Sequence, residues 1–597
     1  MHLVTKTVKG HEYFYLIEKV RRGGRVFTSQ TVYVGNRQKV AEMLQIGAAA
    51  VLPESFAAQP VGAELALATV AADLGIESLI DEVCPVREGA APVGRRLVLA
   101  AIHRILASRR DNGLVNLRAF YEGSVMEDLL PVPASSLDDR RMGEMLAELS
   151  RPEIDRIEAA VVERLIEHEG IETHALAFDC TNFDSYAGAR TCSRLLQRGH
   201  GKSGKPLRVL GLGLLATADE GIPLLTFTYP GNENDVTAFA RFLKALDRRE
   251  ASLDLPVDAT VAADGGNISK ALLQRMEARP RFYVMRLPPR HLGDLIRCKR
   301  RDLPALEGKL AGKVWAKRQE CSVYGTERTV VDVYSRRMHR RQLPGLKRDR
   351  DRARADLMEL QRLLDRQLRG LRTAKPLTVA SVRRRAKKAL SREHMASLFQ
   401  FQVTKGERAP SLTFQEPPEP WTHLEDYVLG RTLLVTNRKD WAPEQVVLAG
   451  RVQSHNEHDF RELKDTDGAS MLPLRHRKDP CLRALALRVV IGLILARVLQ
   501  RRVKRAGVQA PSLASVLMPL KRVQRAKVQL PATAPAALRA LAAITWVPSQ
   551  RTQRQQEILR VLGLTDRHEL GTTLAEQLAP KNRAREEKTP AQPGKSR

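Results

Sequence analysis

The sequence predicts an α/β protein, in which a sheet of five strands carries flanking helices and follows a mainly helical region. Three observations lead to this fold class. Between residues 171 and 289 the apolar pattern reads as three strands, a helix, a strand, a helix and a strand. Two of these strands are short apolar runs that end in an aspartate. The residues before 171 mostly repeat apolar side chains at helical spacing.

The two apolar runs that end in an acid are the central feature of the chain. The first runs from Leu176 to Asp179, and the second from Val257 to Asp264. Runs this short predict buried strands, and a carboxylate at the end of such a strand is costly unless it is paired or bound to a cation. A lone aspartate there is most often a turn residue, whereas two in matching contexts indicate a shared metal site. Asp179 and Asp264 are therefore our candidate metal ligands.

The other elements of this region follow at regular intervals. Aspartate, glutamate and glycine at 219–221 form a tight turn that joins two strands into a hairpin. We predict strands at His174–Asp179, Leu207–Thr217, Ile222–Tyr229, Val257–Ala263 and Phe282–Leu287, and helices at Val236–Asp247 and Ile268–Ala278.

Changes in composition divide the chain into six regions. The front hairpin, 12–35, contains aromatic and basic residues that either face DNA or belong to an ordinary small sheet. The basic cluster Arg383–Lys388 is either a solvated face or a contact with phosphates. We predict an N-terminal hairpin and helical DNA-binding region (1–170), the first part of the sheet domain (171–289), an insertion (290–440), the last part of the sheet domain (441–505), a C-terminal helical region (506–580) and a disordered tail (581–597).

The charge balance points to a polyanionic partner. The chain of 597 residues has 98 Lys and Arg against 68 Asp and Glu, a net charge of +30. Such a surface attracts nucleic acid or an anionic membrane. The best membrane candidate, Leu485–Leu499, is interrupted by Arg488 and Arg497 and falls short of the ~20 residues that a spanning helix needs. The six cysteines show no metal-binding spacing, and the N-terminus shows no signal pattern, so we expect DNA as partner, no membrane and a cytoplasmic location.

A pair of carboxylates needs a third ligand to complete a magnesium site for phosphoryl chemistry. Glu457 is the best candidate, because it begins a predicted helical turn that places Phe460 and Leu463 on one side. Asp459 and Glu462 are the alternatives. We expect Mg²⁺, with Mn²⁺ as a substitute, and we expect Lys464 to contact a DNA phosphate or to be simply exposed.

The segment Gly199–Lys205 matches the beginning of a phosphate-binding P-loop. Pro206 stands where a P-loop has the hydroxyl residue that binds Mg²⁺, and the segment precedes a predicted strand instead of opening a helix. We therefore expect no nucleotide cofactor. A basic loop that touches DNA through Arg198, His200 and Lys202 is one interpretation, and a plain flexible turn is the other.

Together these motifs resemble a DDE transposase of a bacterial insertion sequence. The likeness extends over most of residues 10–500 and includes the front hairpin. The matching pieces are Phe178-Asp179-Cys-Thr-Asn182, Arg198-Gly-His200, Gly221-Ile-Pro223, Pro230-Gly-Asn232-x-x-Asp235, Asp264-Gly-x-x-x-Ser269, Leu434-Val-Thr-Asn437 and Glu457-x-x-Phe460-Arg461-x-Leu463-Lys464.

The resemblance implies a ribonuclease H-like mixed sheet and a metal-binding triad of Asp179, Asp264 and Glu457. It also implies that Arg461 and Lys464 contact DNA and that a homodimer joins two DNA ends. The family signature Tyr-x2-Arg-x3-Glu-x6-Lys is incomplete, because its Tyr and Arg places hold Gly450 and Gln453.

The implied activity is metal-dependent cleavage at the ends of the element, followed by attack of the freed 3′-OH on target DNA. The alternatives are a metal-dependent nuclease without strand transfer and a DNA-binding copy whose catalytic core has decayed. The terminal repeats, the target site and the formation of a hairpin intermediate are not readable from the sequence. A nucleoid-associated location follows from the resemblance alone.

Overall fold

The computed structural model divides into two compact units, Met1–Gly143 with Leu495–Arg597, and Glu144–Ile494. The structure describes residues 2–8, 11–22, 25–36, 55–86, 88–108, 110–188, 190–199, 201, 205–249, 256, 258–264, 268–279, 281–371, 376–451, 470–529 and 547–564. Within these ranges, no helix combines the length and the apolar character needed to cross a membrane.

The first unit contains two small sheets and short helices. Its N-terminal sheet consists of β1 (His2–Val8), β2 (His11–Arg22) and β3 (Arg25–Asn36), which confirms the hairpin predicted for 12–35. In the other sheet the central strand β16 (Gln524–Gln529) pairs antiparallel with β4 (Ser55–Pro60) on one side and with β17 (Val547–Pro548) on the other. The unit's elements are β4 (Ser55–Pro60), α1 (Gly62–Asp73), α2 (Ile76–Val83), α3 (Val93–Leu106), α4 (Leu117–Tyr121), α5 (Met126–Leu129), α17 (Leu513–Lys521), β16 (Gln524–Gln529), β17 (Val547–Pro548) and α18 (Gln553–Val561).

Helix α7 (Arg151–Glu169) leads into the second unit's sheet, after α6 (Asp139–Glu148). It begins at Ser150, whose side chain and backbone form a capping box with Glu153. It ends at Gly170, whose φ of 58° lies in the left-handed region that favours glycine.

The second unit is built on a mixed sheet of nine strands. Its first strands are β5 (Ala175–Ser185), β6 (Gln197–Arg198), β7 (Arg208–Thr217), β8 (Pro223–Pro230), β9 (Thr260–Ala263) and β10 (Phe282–Arg286), and its last are β11 (Val314–Val323), β12 (Thr326–Ser335) and β15 (Arg431–Thr436). Its helices are α8 (Asp235–Arg249), α9 (Lys270–Glu277), α10 (Leu292–Leu295), α15 (Pro443–Arg451) and α16 (Asp479–Arg505), the last of which continues past the unit's end.

The five predicted strands lie side by side in the order β8, β7, β5, β9, β10. Strands β7 and β8 are antiparallel to their neighbours, whereas β5, β9 and β10 are parallel. The predicted mixed α/β class is thus confirmed. Strands β15, β12 and β11 continue the same sheet beyond β10, because β15 pairs antiparallel with β10.

The two faces of this sheet are covered by different helices. On one face Phe178 packs against Phe239 and Phe242 of α8, with ring centroids 5.2 and 3.9 Å apart. On the other face α15 packs over Val284 of β10 and Leu434 of β15. Since side chains alternate between the faces of a strand, Asp179 projects to the face that α15 covers.

Residues 336–430 form a subdomain with its own apolar core, which we call the insertion subdomain. Its longest element is α11 (Arg336–Leu368), whose leucines pack on Val382 and Ala386. The remaining elements are α12 (Val379–Ala389), α13 (Met395–Leu398), the hairpin β13 (Gln400–Thr404) and β14 (Ser411–Gln415), and α14 (Pro418–His423).

Candidate active site

The two predicted acids lie next to each other in the sheet. Strands β5 and β9 are parallel, and Phe178 is the register partner of Ala263. Asp179 follows Phe178 within β5, and Asp264 is the first residue after the end of β9, so their backbones are separated by about one strand spacing, ~4.8 Å. Because side chains alternate along a strand, Asp179 projects to the face that α15 covers, and Asp264 follows the neighbouring strand at the same level.

The strand that carries Asp179 is longer than the sequence predicted. We expected it to end at Asp179, but β5 continues to Ser185 and pairs with β7 along its whole length. The prediction was wrong because a carboxylate was read as a strand end. Strand β9 ends beside Phe178, so Asp179 has no neighbouring strand on that side and is half-buried. Its Oδ1 accepts a hydrogen bond of 2.7 Å from the Cys180 backbone N–H.

An arginine that the sequence analysis missed lies beside the acids. Met285 of β10 is the register partner of Ala263, so Arg286 stands level with Asp264 on the neighbouring strand. Arg286 is exposed and faces the same side as both acids, because Met285 is buried against the other face. The signal available in the sequence was its position at the end of the fifth predicted strand.

Helix α15 ends at the same level of the sheet. Arg286 pairs with Leu434 of β15, and a Cβ added to Gly450 would lie 2.9 Å from Leu434 Cδ1. Glycine therefore lets the last turn of α15 approach β15 closely. The residue that departs from the family signature thus lies in a packing contact, and a larger side chain here requires the Leu434 side chain to shift.

The start of α16 is fixed at the opposite edge of the sheet. Asp479 accepts hydrogen bonds from the Ser193 hydroxyl, from the Arg194 backbone N–H at 3.2 Å and from the Leu195 backbone N–H at 3.3 Å. Leu195 in turn accepts a hydrogen bond from the Gly231 backbone N–H at 3.1 Å and precedes β6, which pairs with β7. The end of α15 therefore lies on the β10–β15 side of the sheet, and the start of α16 lies on the β6–β7 side.

The remaining predicted site residues are distributed unevenly. Arg198 lies in β6 and is exposed. Glu457, its alternatives Asp459 and Glu462, the signature position Gln453, and the predicted DNA contacts Arg461, Lys464, His200 and Lys202 lie outside the described residues, as does the tail 581–597. The segment that resembles a P-loop connects β6 to β7, and thus two antiparallel strands, so its context is not that of a P-loop.

Positive charge accumulates where α15 ends. Desolvation and the nearby guanidinium of Arg337 both lower the pKa of Arg451, the last residue of α15. Two like charges in proximity attract an anion, which relieves their mutual repulsion. This end of the sheet therefore combines two carboxylates with the cationic groups Arg286, Arg337 and Arg451.

The donor set fits part of a magnesium site. Asp179 and Asp264 offer the carboxylate oxygens that Mg²⁺ prefers, on adjacent strands and on one face. In the part of the chain that the structure describes, no group of three or more His, Cys, Asp or Glu side chains is positioned to hold a metal ion. The two aspartates thus fit a divalent cation that takes its further ligands from elsewhere.

Residues 188–479 match the family model for the transposase DDE domain. Asp264 and Glu457 lie inside the matched range, and Asp179 lies shortly before it. No curated protein sequence matches the chain significantly.

Among solved structures, the chain is similar to a cryo-EM structure of a piggyBac transposase synaptic complex with hairpin DNA. The two share 9% sequence identity with a TM-score of 0.35, over 76% of this chain and 79% of the other. On the family match, residues 188–479 of this chain are identified as a transposase DDE domain.

Proposed function

We propose that this transposase cleaves DNA at the ends of its own mobile element and transfers the freed strands into target DNA, using Mg²⁺ held by Asp179, Asp264 and Glu457. The observation that supports the proposal is the register of parallel strands β5 and β9, in which Asp179 and Asp264 directly follow the paired residues Phe178 and Ala263. Two carboxylates in such proximity repel each other, and divalent cations relieve that repulsion.

The path of the chain supports Glu457 as the third ligand. Gly450 lies against Leu434, which is level with Arg286. From Leu434 to the midpoint between Asp264 and Asp179 is two and a half strand spacings, or about 12 Å. Glu457 lies seven positions after Gly450, a reach of ~10 Å as a helix or ~23 Å when extended. Glu457 is therefore within reach of the two aspartates from the end of α15, and Asp479 re-enters the described chain on the β6–β7 side.

The side chains divide the chemistry between them. Bound Mg²⁺ would supply Lewis-acid stabilisation of the phosphodiester and of the attacking and leaving oxygens. Asp179, Asp264 and Glu457 would hold it. Arg286 would bind a non-bridging phosphate oxygen beside the reacting bond, and Arg198, Arg461 and Lys464, with His200 and Lys202, would bind neighbouring phosphates. In-line attack by water frees the 3′-OH, and in-line attack by that hydroxyl joins it to the target.

The first test replaces the acids one at a time in the full chain. We expect Asp179→Asn and Glu457→Gln each to abolish Mg²⁺-dependent nicking of a plasmid that carries the gene with its flanking DNA, while binding to the same DNA is retained. Asp459→Asn and Glu462→Gln are the matched controls, because they remove a carboxylate from the same segment. Full nicking by Glu457→Gln together with loss in Glu462→Gln would move the third ligand to Glu462.

The same assay separates the alternatives. Nicking without any preference for DNA that flanks the gene would favour a nuclease without strand transfer. Wild-type protein that binds DNA and leaves it intact would favour a decayed catalytic core. This is the main alternative to our proposal, because Gly450 and Gln453 stand where the family signature has Tyr and Arg. Joined products linking flanking DNA to a second plasmid would establish strand transfer.

A further inference from the structure

Helix α12 of the insertion subdomain carries charge that the proposed active site does not use. We propose that α12 binds the phosphate backbone of duplex DNA through Arg383, Arg384 and Lys387, at a surface separate from the candidate acids. This inference rests on the proposed function in taking DNA as the substrate. It adds a second, sequence-independent contact between protein and DNA.

The helix is strongly one-sided. Its 11 residues contain five cations and no acid, and all five cations are exposed. Val382 and Ala386 are fully buried against leucines of α11, and a capping box between Thr378 and Ser381 fixes the first turn. The cations therefore stand on a firmly held scaffold and occupy the whole solvent side of the helix.

The five cations fall into two groups. Arg385 and Lys388 line a cleft of about 410 Å³ that also contains Asp356 and Glu359 of α11 together with Arg392, so acids lie near these two cations. Arg383, Arg384 and Lys387 do not line this cleft. In the described residues, none of these three has a side-chain hydrogen bond or an ion pair, and we call them the outer triad.

The outer triad is unfavourable in the free protein and favourable beside a polyanion. Arg383 and Lys387 are four residues apart on one helix, and like charges at this spacing destabilise a helix. A phosphate backbone replaces that repulsion with attraction and releases condensed counterions. The triad contains no hydrogen-bond acceptor, and point charges that meet phosphates carry no sequence information. Duplex DNA of any sequence is thus the expected partner.

The test measures how DNA affinity of the full chain depends on salt, without Mg²⁺, on a duplex of random sequence. Each phosphate contact contributes about 0.9 to the slope of log affinity against log salt. We expect Arg383→Gln/Arg384→Gln/Lys387→Gln to reduce this slope by about 2–3, so that the affinity lost between about 50 and 200 mM salt shrinks by up to roughly 40-fold. Arg383→Lys/Arg384→Lys/Lys387→Arg should keep the wild-type slope, since the charges remain.

A control with the same charge change is available on α11. Arg362, Arg366 and Arg369 are exposed, but Glu359 and Asp365 lie among them, and their change to Gln should leave the slope nearly unaltered. An unchanged slope in the α12 variant, or an equal fall in the α11 control, overturns the inference. Cleavage of flanking DNA with a wild-type salt slope in the α12 variant would refute only the α12 contact. Absence of DNA binding by the wild-type chain would refute the proposed function as well.

Discussion

Two pairs of Asp and Arg lie on opposite faces of the nine-stranded sheet, within a few strands of each other. Asp332 of β12 and Arg431 of β15 are ion-paired, and their side chains are only 2% and 0% exposed. Asp264 and Arg286 stand level on adjacent strands, yet both are exposed, and among the described residues no ion pair joins them. We call Asp332 and Arg431, which bind each other, the closed pair. We call Asp264 and Arg286, which are exposed to solvent, the open pair.

The closed pair has several hydrogen-bonding partners. Arg431 donates through Nε to Asp332 Oδ1 at 3.0 Å, through Nη2 to the other carboxylate oxygen, and through Nη1 to the Asp426 carbonyl at 3.3 Å. Nη2 also donates to the Cys298 carbonyl at 3.3 Å, so four of the five N–H groups of Arg431 have acceptors in the protein. This buried pair links the neighbouring strands β12 and β15, and its burial keeps both charged groups away from a ligand in solvent. The open pair keeps its charges available for a cation and a phosphate.

The strongest test of this difference compares the nicking rates of two variants, each of which neutralises an aspartate at one end of β9. Asp264→Asn should lower Mg²⁺-dependent nicking at least ~10³-fold, because several kcal/mol of transition-state stabilisation depend on the bound metal. Asp258→Asn should change the rate less than about threefold, since Asp258 precedes the strand and lies 3.6 Å from Arg438. Rates are compared at saturating DNA and Mg²⁺. Equal losses in both variants would mean that Asp264 is an ordinary structural residue.

Removing Arg431 from the closed pair should lower the stability of the fold without a direct effect on catalysis. Arg431→Met leaves the Asp332 carboxylate buried without its partner, which should lower the free energy of unfolding by about 3–5 kcal/mol at neutral pH. The double variant Arg431→Met/Asp332→Leu should recover much of that loss, because it removes the stranded charge. Urea unfolding of both variants and of the wild type measures the difference.

The pH dependence of this loss has a definite sign. Burial raises the pKa of Asp332, while Arg431 acts in the opposite direction. Without Arg431 the folded-state pKa rises further above the unfolded value of ~3.9, so the folded state binds more protons over that interval. The deficit of Arg431→Met relative to wild type should therefore shrink as the pH falls from 8 towards about 5 and grow as it rises. A deficit that is constant with pH would exclude Asp332 as its source.

The difference between the two pairs also shows what local sequence could predict. The succession of strands and helices along the chain was predictable, and so was the choice of the two candidate acids, because each acid follows a short apolar run such as Leu176–Asp179. The continuation of β5 to Ser185 was not, since it depends on pairing with β7. The alignment of Arg286 with Asp264 was equally inaccessible, because it is set by the register between β9 and β10.

Gly450 is a second feature whose structural reason could not be predicted from the local sequence. The sequence showed only that a glycine stands where the family signature has a tyrosine. The reason for it lies in the approach of α15 to Leu434 of β15, a contact between segments that only the folded sheet brings together. The candidate acids were chosen by residue type and order, whereas the residues packed around them depend on tertiary structure.

The smallest expected effect tests the other member of the open pair. Arg286→Gln removes one charge-assisted contact to phosphate, worth about 1.5–3 kcal/mol, and should slow nicking by roughly 10–100-fold at saturating DNA. Arg286→Lys should retain part of the rate, because the charge remains while the guanidinium fork is lost. The urea midpoint of Arg286→Gln should equal that of wild type, since Arg286 is exposed.

Arg248 provides the matched control for Arg286. It is an exposed arginine in the last turn of α8, the helix that covers the opposite face of the sheet. Arg248→Gln should nick DNA at the wild-type rate, because the same charge is removed from a position that the proposed substrate does not reach. A full rate in Arg286→Gln would show that this arginine, although level with Asp264, takes no part in positioning the phosphate. Equal slowing in both variants would instead attribute the effect to the net charge of the protein. Both variants lose one positive charge, but only Arg286 lies beside the acids.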